Sequence, residues 1–324
     1  MKRLILPLVA IAFAIGACDS RTLPTAAPEA DTDLQTAPNF AKARASDDFS
    51  HVVAFVDDFN AKLEAAGSDL RLEYPWLFRV GPGTDPFGAL RTGSRWPMMD
   101  VGYILDESDY TDDVPFAEVD GALESAYDSW NEIRNSNLTA VRHPDGGGNY
   151  DVIDGLYDAG GNCVFLFDLT SPNLDYFAGL VYPEDDIVVG GWVPETYFSQ
   201  CLSDSGIIGV TWTFGGPDTN RDGYPDIQYV EQLYNPFFEW TTTEAVYLDF
   251  EAPMDIETIA VHENGHSHGL GHFGGPIKNQ PFKLQPNGKV FNPEAVMNPY
   301  YIGGEERTPL PTDVAGMRTM YARP

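Results

Sequence analysis

The chain has 324 residues, 43% of them hydrophobic and 13% aromatic, which is enough for a packed core in one large domain or two modest ones. Acidic side chains outnumber basic ones by 49 to 19, giving a formal net charge of −30. A surface this acidic repels nucleic acid and anionic lipid and attracts divalent cations, so the composition argues against nucleic-acid binding.

The amino terminus is typical of an export signal. Met1-Lys2-Arg3 precedes an apolar run of fourteen residues that ends at Ala17, which is too short to span a bilayer. The ending Ile15-Gly16-Ala17-Cys18 resembles the bacterial lipobox, so we predict removal of residues 1–17 and lipidation of Cys18. The protein would then be membrane-anchored through this lipid alone, in the periplasm or at the cell surface. The alternative is an ordinary cleaved signal and a secreted protein.

The region behind the signal divides into two parts. Residues 18–47 are rich in Ala, Pro, Thr and Asp and predict a flexible tether. Apolar residues from Ser50 to Ala66 recur at helical spacing and predict an amphipathic helix. Residues 68–95 carry many Gly, Pro and aromatic residues without a regular period. We therefore treat residues 48–95 as a helical and irregular segment, a candidate propeptide-like region.

Regular patterns begin at residue 96 and define a main domain over residues 96–324. A helix is predicted from Glu118 to Arg134, a second from Ile256 to Leu270 with Asp255 as N-cap, and a last one from Thr312, as cap, to Tyr321. The predicted strands are Met99–Leu105, Leu138–Val141, Cys163–Leu169, Asp186–Val189, Ile207–Phe214 and Ile227–Tyr234. Strands first and helices afterwards predict an α+β fold.

Three cysteines are present in the whole chain. If Cys18 carries lipid, Cys163 and Cys201 remain as an even pair in an exported protein, which predicts a disulfide. Two separate buried thiols are the alternative.

Four of the six histidines fall within eleven residues, from His262 to His272. On a helix, His262 and His266 stand four residues apart and project from one face toward one point. Gly269 can take the positive φ that ends the helix, which lets the chain turn back and bring His272 as a third nitrogen ligand. His268, two residues after His266, points to another side of the helix.

Three protein ligands leave one tetrahedral position of a zinc ion open for water, and Glu263, beside the first histidine, is placed to take the proton of that water. A purely structural zinc site would normally close this position with Cys or His, and no cysteine lies near in sequence. The pattern therefore predicts a hydrolase with one catalytic zinc per chain.

A second metal is predicted in the segment from Asp218 to Asp226. Its oxygen donors occupy the first, third, fifth, seventh and ninth places of an EF-like loop, with Gly223 at the sixth; they are Asp218, Asn220, Asp222, Tyr224 and Asp226. The twelfth place is Tyr229 rather than the expected glutamate, and Asp249, Glu251 or Glu231 could complete the shell. A polar turn without calcium is the alternative.

With these motifs the chain resembles the metzincin zinc peptidases, and among them the matrixins. The histidine pattern matches residue by residue, and Asp255-Ile256-Glu257-Thr258 before it resembles the matrixin lead-in. Ala295-Val296-Met297-Asn298-Pro299 resembles the Met-turn, and residues 310–318 resemble the terminal helix. The resemblance implies that Met297 packs beneath the three imidazoles without binding zinc.

The same resemblance implies a twisted, mostly parallel mixed sheet whose one antiparallel strand lies at the edge, beside the cleft, where an extended peptide pairs with it. Residues 207–212 or 228–234 would form that edge, and residues 293–302 would line the pocket after the cut bond. Other metzincins place a tyrosine two residues after the methionine to bind the oxyanion. Pro299 stands there in this chain, which leaves Tyr300 and Tyr301 as candidates.

Two departures from the vertebrate members concern regulation and metals. Latency through a propeptide cysteine is not expected, because no cysteine lies between residues 19 and 162. A second zinc is not expected either, because the remaining histidines are scattered. We predict a zinc endopeptidase acting on extracytoplasmic proteins or peptides; the alternative is a catalytically weak lipoprotein that keeps this fold as a binding module.

Overall fold

The computed structural model describes residues 48–80, 85–91, 93–106, 110–144, 187–202, 204, 206–243, 253–276, 291–301 and 303–322. The predicted signal, tether and lipidation site at Cys18 lie outside these ranges, as do Cys163 and the strand predicted at 163–169.

Four α-helices are described: α1 (Ser50–Ala65), α2 (Phe116–Asn131), α3 (Ile256–Ser267) and α4 (Pro311–Met320). The strands are β1 (Arg71–Leu72), β2 (Trp76–Val80), β3 (Asp100–Leu105), β4 (Thr139–Arg142), β5 (Ile187–Trp192), β6 (Ile207–Gly216), β7 (Asp226–Tyr234), β8 (Trp240–Thr241), β9 (Met254–Asp255), β10 (Gly275–Pro276), β11 (Phe291–Asn292) and β12 (Tyr300–Tyr301). The four predicted helices are therefore confirmed, and so is every predicted strand that lies among the described residues.

The central sheet has the strand order β12-β2-β6-β7-β5-β3-β4, and β1 also pairs with β6. Strands β4, β3, β5 and β7 run parallel, whereas β6 is antiparallel to β7. The fold is thus α+β around a mostly parallel mixed sheet, as predicted.

The expectation that the antiparallel strand is an edge strand is wrong. Residues 207–216 form that strand, β6, but β2 pairs with its other side and β12 follows β2. The physical reason is that residues 71–80, which showed no regular period, form two short strands that join the sheet. Pro75 separates them, so neither run is long enough to display an alternating pattern.

The sheet separates two hydrophobic cores. On one face, α2 and α3 pack against the sheet, and their apolar side chains form the larger core with Trp130, Ile208 and Val230 among its buried members. On the other face, α1 buries Val56, Phe59 and Leu63 against strands β1, β2 and β6. The segment at 48–80 thus packs as part of the same sheet and core.

Helix α3 begins as predicted. The Asp255 carboxylate accepts the backbone N–H of Thr258 at 3.0 Å and its hydroxyl at 2.6 Å, which is N-capping geometry. Arg307 pairs with the same carboxylate at 2.7 Å, so the cap is also half of a largely buried ion pair. Gly269 has φ +84°, and the helix ends just before it, at Ser267 rather than Leu270.

The cap of the last helix differs from the prediction. Helix α4 starts at Pro311, with Leu310 at the N-cap position, so Thr312 lies inside the first turn. Proline suits the first helical position because it has no N–H to satisfy. Asp313 supplies the capping carboxylate instead, accepting the N–H of Leu310 at 2.8 Å.

Cys201 is disulfide-bonded, and its predicted partner Cys163 lies outside the described residues. Within the described ranges, none of the helices is both long enough and apolar enough to cross a membrane.

Candidate metal centre

Three histidines converge at the end of α3. His266 Nε2 lies 3.1 Å from His262 Nε2 and 3.1 Å from His272 Nε2. His262 and His266 are buried on the helix, and His272 arrives from the loop that follows Gly269. In the described part of the chain this is the only group of three or more His, Cys, Asp or Glu side chains placed to share one ion.

The hydrogen bonds of the Nδ1 atoms show that the Nε2 atoms, which face the centre, are acceptors. His262 Nδ1 donates to the carbonyl of Val296 at 2.6 Å, and His266 Nδ1 donates to that of Leu270 at 2.8 Å. Burial lowers the pKa of both imidazoles well below the usual value, and the neighbouring His272 lowers it further. Both rings are therefore neutral, with the proton on Nδ1 and a lone pair on Nε2.

Two facing lone pairs at 3.1 Å share no proton and would repel each other, so this contact is not a hydrogen bond. A cation between them removes the conflict. A tetrahedral zinc site with Zn–N bonds of about 2.0–2.1 Å would place its nitrogens about 3.3 Å apart, close to the spacing here. The donor set fits zinc, because neutral imidazoles with an oriented Nδ1–H are its common ligands.

The turn at Ala295–Asn298 contacts both His262 and helix α3. The Val296 and Met297 N–H groups donate to the buried carboxylate of Asp313, at 2.9 and 3.3 Å, which fixes the turn and aims the Val296 carbonyl at His262. The Met297 sulfur packs on α3 at Gly265, where a Cβ would collide with it. Met297 therefore packs against α3, and its predicted place beneath the three imidazoles stays a prediction.

Glu263 follows His262 on α3 and is fully buried. Its Oε2 accepts the hydroxyl of Thr211 at 2.5 Å, and its Oε1 has no hydrogen-bond partner among the described residues. A Cβ on Gly209 would lie 2.6 Å from Oε1, so only glycine leaves room for the carboxylate there. Burial raises the pKa of Glu263 to about 8, partly offset by the Thr211 hydrogen bond. The carboxylate is thus held in one place, with one oxygen free to accept a proton.

The third histidine has a carboxylate behind it. Asp85 Oδ2 lies 3.3 Å from His272 Nδ1, and Arg91 pairs with the same carboxylate at 2.5 Å. Such a carboxylate orients a ligating imidazole and raises its basicity. Asp85 belongs to the segment before residue 96, where the sequence suggested no site residue.

Two aromatic rings of strand β2 cover the histidines. Phe78 stacks on His262 with ring centroids 3.6 Å apart, and Trp76 stacks on His266 at 4.5 Å. The Trp76 ring also meets His272 edge-on at 5.4 Å. Each of the three imidazoles is therefore in contact with Trp76 or Phe78 of β2.

His268 is the fourth histidine of the cluster, and Tyr300 and Tyr301 are the tyrosines considered as oxyanion donors. His268 is buried against Trp130, with ring centroids 5.6 Å apart, and is not part of the metal group. The hydroxyl of Tyr301 donates to the carbonyl of Gly304 at 2.8 Å and is thus already engaged. The hydroxyl of Tyr300 is buried and has no hydrogen-bond partner among the described residues. Pro299 continues the turn between Met297 and these tyrosines.

In the predicted calcium loop, the side-chain oxygens accept hydrogen bonds from N–H groups of the same loop. Asp218 accepts the N–H of Asp222 at 3.1 Å and of Gly223 at 2.9 Å, and Asp226 accepts the N–H of Thr219 at 2.9 Å. Arg95 Nη1 lies 3.9 Å from Asp222 Oδ2. Asn220 likewise bonds Asp222 N–H, and Tyr224 is exposed beneath the Arg95 guanidinium. Asp218, Asp222 and Asp226 therefore do not form a three-carboxylate group here, and calcium stays a prediction.

Of the proposed completing ligands, Glu231 is buried in the sheet, with its Oε2 3.4 Å from the Tyr229 hydroxyl. Asp249 and Glu251 lie outside the described residues.

If the loop binds calcium, added calcium should raise the melting temperature of chelator-treated protein. Binding to the folded loop alone would stabilise it by about 2.7 kcal/mol at a concentration 100 times Kd, a shift of several degrees. Asp222→Ala should reduce this shift, whereas Asp69→Ala, the same change at an exposed acid elsewhere, should not. Unchanged melting of the parent across millimolar calcium would remove the metal and leave the polar turn.

Comparison with known proteins adds no assignment. No protein-family model matches the chain, and no curated protein matches it at a significant level.

Four residues at the centre were not anticipated from the sequence: Asp85, Trp76, Phe78 and Thr211. A fifth residue, Gly209, did carry a usable signal, because a glycine within an otherwise β-branched and aromatic strand often marks a close approach. Trp76 and Phe78 reach the site through the long-range pairing of β2 with β6. No local pattern encodes that pairing or the positions of Asp85 and Thr211.

Proposed function

We propose that the protein is a zinc-dependent endopeptidase of the metzincin type, similar to the matrixins, that hydrolyses peptide bonds of extracytoplasmic proteins. The observation that carries the proposal is the convergence of His262, His266 and His272 through their Nε2 atoms, with Glu263 buried beside them. The Met-turn packed at Gly265 and the capped helix α3 support the same assignment.

Bound zinc would polarise the carbonyl of the peptide bond to be cut and lower the pKa of its water to about 7. Glu263 takes the proton of that water through its free Oε1 and delivers it to the leaving amine. Thr211 keeps the carboxylate in one rotamer by bonding Oε2, and Gly209 leaves the space that the other oxygen needs. The positive charge of the metal would also oppose the rise in the Glu263 pKa that burial causes.

An extended peptide would bind by strand addition to β6. Gly209 and Thr211 lie on the face of β6 that meets Glu263, so a strand paired there would pass directly over the histidines. Residues 296–301 would form the opposite wall. The exported, lipid-anchored location predicted from the amino terminus belongs to this proposal and would place the enzyme among extracytoplasmic substrates.

Two observations favour a second candidate function. Glu263 is fully buried and β2 already occupies the side of β6 where a peptide would pair. A protein that kept this arrangement permanently would be a lipoprotein of metzincin-like fold with little turnover, acting as a binding module. The intact set of three histidines and a glutamate with a free oxygen supports the peptidase instead.

A cleavage profile on a mixed peptide library tests the proposal. Both the intact chain and the chain after limited proteolysis should be incubated with the library, with and without chelator, because β2 covers the centre. We expect cleavages that chelator abolishes and added zinc restores. A zinc-loaded, proteolysed protein that cuts no peptide would favour the binding module.

A further inference from the structure

We propose that Glu306 selects a basic substrate side chain, so that the peptidase favours lysine or arginine next to the bond that it cuts. The inference rests on the proposed function and names the class of its substrates. Three features carry it: a pocket beside His262, two hydrogen-bond acceptors in the aromatic lining of that pocket, and a carboxylate that no basic side chain of the described residues neutralises.

The pocket lies next to the metal centre. Phe78 forms one of its walls, and the ring of Phe78 stacks on His262 with centroids 3.6 Å apart. Val296 forms another wall, and its carbonyl accepts the Nδ1–H of His262 at 2.6 Å. Two wall residues thus contact a histidine of the metal group. A peptide that lies across the metal therefore has a side chain beside the cut bond within reach of this pocket.

Two of the lining residues offer oxygen acceptors. Glu306 and Tyr300 line the pocket together with the aromatic rings of Phe78 and Phe291. The Tyr300 side chain is held by its ring, which packs on Phe291 with centroids 4.8 Å apart, while its buried hydroxyl has no hydrogen-bond partner among the described residues. A carboxylate and a hydroxyl oxygen both accept N–H bonds, and those from an ammonium or guanidinium group are the stronger ones.

The backbone holds Glu306 in place, but its carboxylate has no cation partner. The Glu306 N–H donates to the Thr258 hydroxyl at 2.9 Å, which fixes the residue against the first turn of α3. Arg307, the next residue, pairs instead with Asp255 at 2.7 Å. In the part of the chain that the structure describes, no basic side chain pairs with the Glu306 carboxylate. The position is thus open to a cation from outside the chain.

The electrostatic surroundings of Glu306 also favour a cation. Burial, together with the nearby carboxylates of Asp313 and Glu294, raises the pKa of Glu306 to about 7. A basic side chain in the pocket would offset both causes, because it replaces lost hydration and opposes the like charges. A neutral side chain of similar length does neither. The formal net charge of −30 attracts basic peptides in the same sense.

Two peptide hydroxamates that differ only in the side chain beside the zinc-binding group, lysine or norleucine, measure the selection without turnover. They are titrated into zinc-loaded protein, both intact and after limited proteolysis, because β2 covers the centre. We expect the lysine compound to bind with a Kd at least about 10-fold lower, the effect of a hydrogen bond to a charged group. The lysine-to-norleucine ratio of kcat/KM should agree when the residues flanking the cut bond of a substrate are exchanged in turn.

Three variants assign the selection to its residues. Glu306→Gln keeps the size of the side chain and the N–H bond to Thr258, and it should abolish the preference for lysine. Tyr300→Phe removes one acceptor and should reduce the preference in part. Glu305→Gln is the matched control, because it makes the same change one residue earlier, at a carboxylate that lies 3.5 Å from Arg307. It should keep the parental preference, and the melting temperature of each variant shows that it is folded.

Binding and cleavage separate the two proposals. Equal affinity of the parent for both hydroxamates, binding of neither in either preparation, or an unchanged lysine preference in Glu306→Gln would overturn the selection by Glu306, whatever the activity. A lysine preference in binding that Glu306→Gln abolishes, without cleavage of any peptide, would support the selective pocket and overturn the proposed peptidase. The same preference in both binding and cleavage supports both.

Discussion

Glu263→Gln should leave one zinc per chain in place and lower kcat/KM for peptide cleavage by at least about 10²–10⁴-fold, the usual effect of removing a general base. The amide keeps the size of the carboxylate and can still meet Thr211, so the packing around Gly209 should survive. It cannot take a proton from water at neutral pH. The loss should appear in kcat rather than in peptide affinity, because Glu263 acts in the transition state.

The effect should be measured both in the intact chain and after limited proteolysis, because β2 covers the centre. Glu257→Gln is the matched control, because it makes the same change on the same helix at a carboxylate that faces Arg307 rather than the histidines. Parental rates are expected for Glu257→Gln. Parental rates for Glu263→Gln would show that some other group activates the water.

His266→Ala should lose both the metal and the activity. Its Nε2 lies 3.1 Å from each of the other two, so it is the central ligand of the group, and two imidazoles alone hold zinc poorly. The variant should also lose the stabilisation that bound zinc gives to the folded state, so chelator should lower the melting temperature of the parent but not of the variant.

His268→Ala is the control for this change. It removes a buried imidazole two residues away that packs on Trp130 and takes no part in the metal group, so it should cost stability and keep zinc. Metal content by mass spectrometry distinguishes the two variants. Full zinc occupancy in His266→Ala, or its loss in His268→Ala, would contradict the assigned ligands.

The parts of the fold and site that the sequence could predict are local. Helices α1 and α2 follow from apolar residues at helical spacing. The ligand set depends on the four-residue spacing of His262 and His266 and on the positive φ of Gly269, both within one helix and its cap. The Asp255 cap joins residues only three positions apart, so the sequence predicts it equally well.

What the sequence could not predict depends on pairing across the chain. Strand β2 has five residues and follows Pro75, so its alternation is too short to detect, yet it sets the order of the sheet. Because that strand was missed, β6 was expected at an edge. Asp85 lies 3.3 Å from His272 although 187 positions of sequence separate them. No spacing rule connects residues this distant.

Zinc titration of metal-free protein, intact and after limited proteolysis, tests the central claim most directly, with metal content and peptide cleavage followed in one sample. We expect no cleavage without metal, a rise in proportion to bound zinc, and saturation at one zinc per chain. Cleavage that persists in the metal-free protein would contradict the assignment of a zinc endopeptidase. So would a proteolysed sample with one zinc per chain that cuts no peptide.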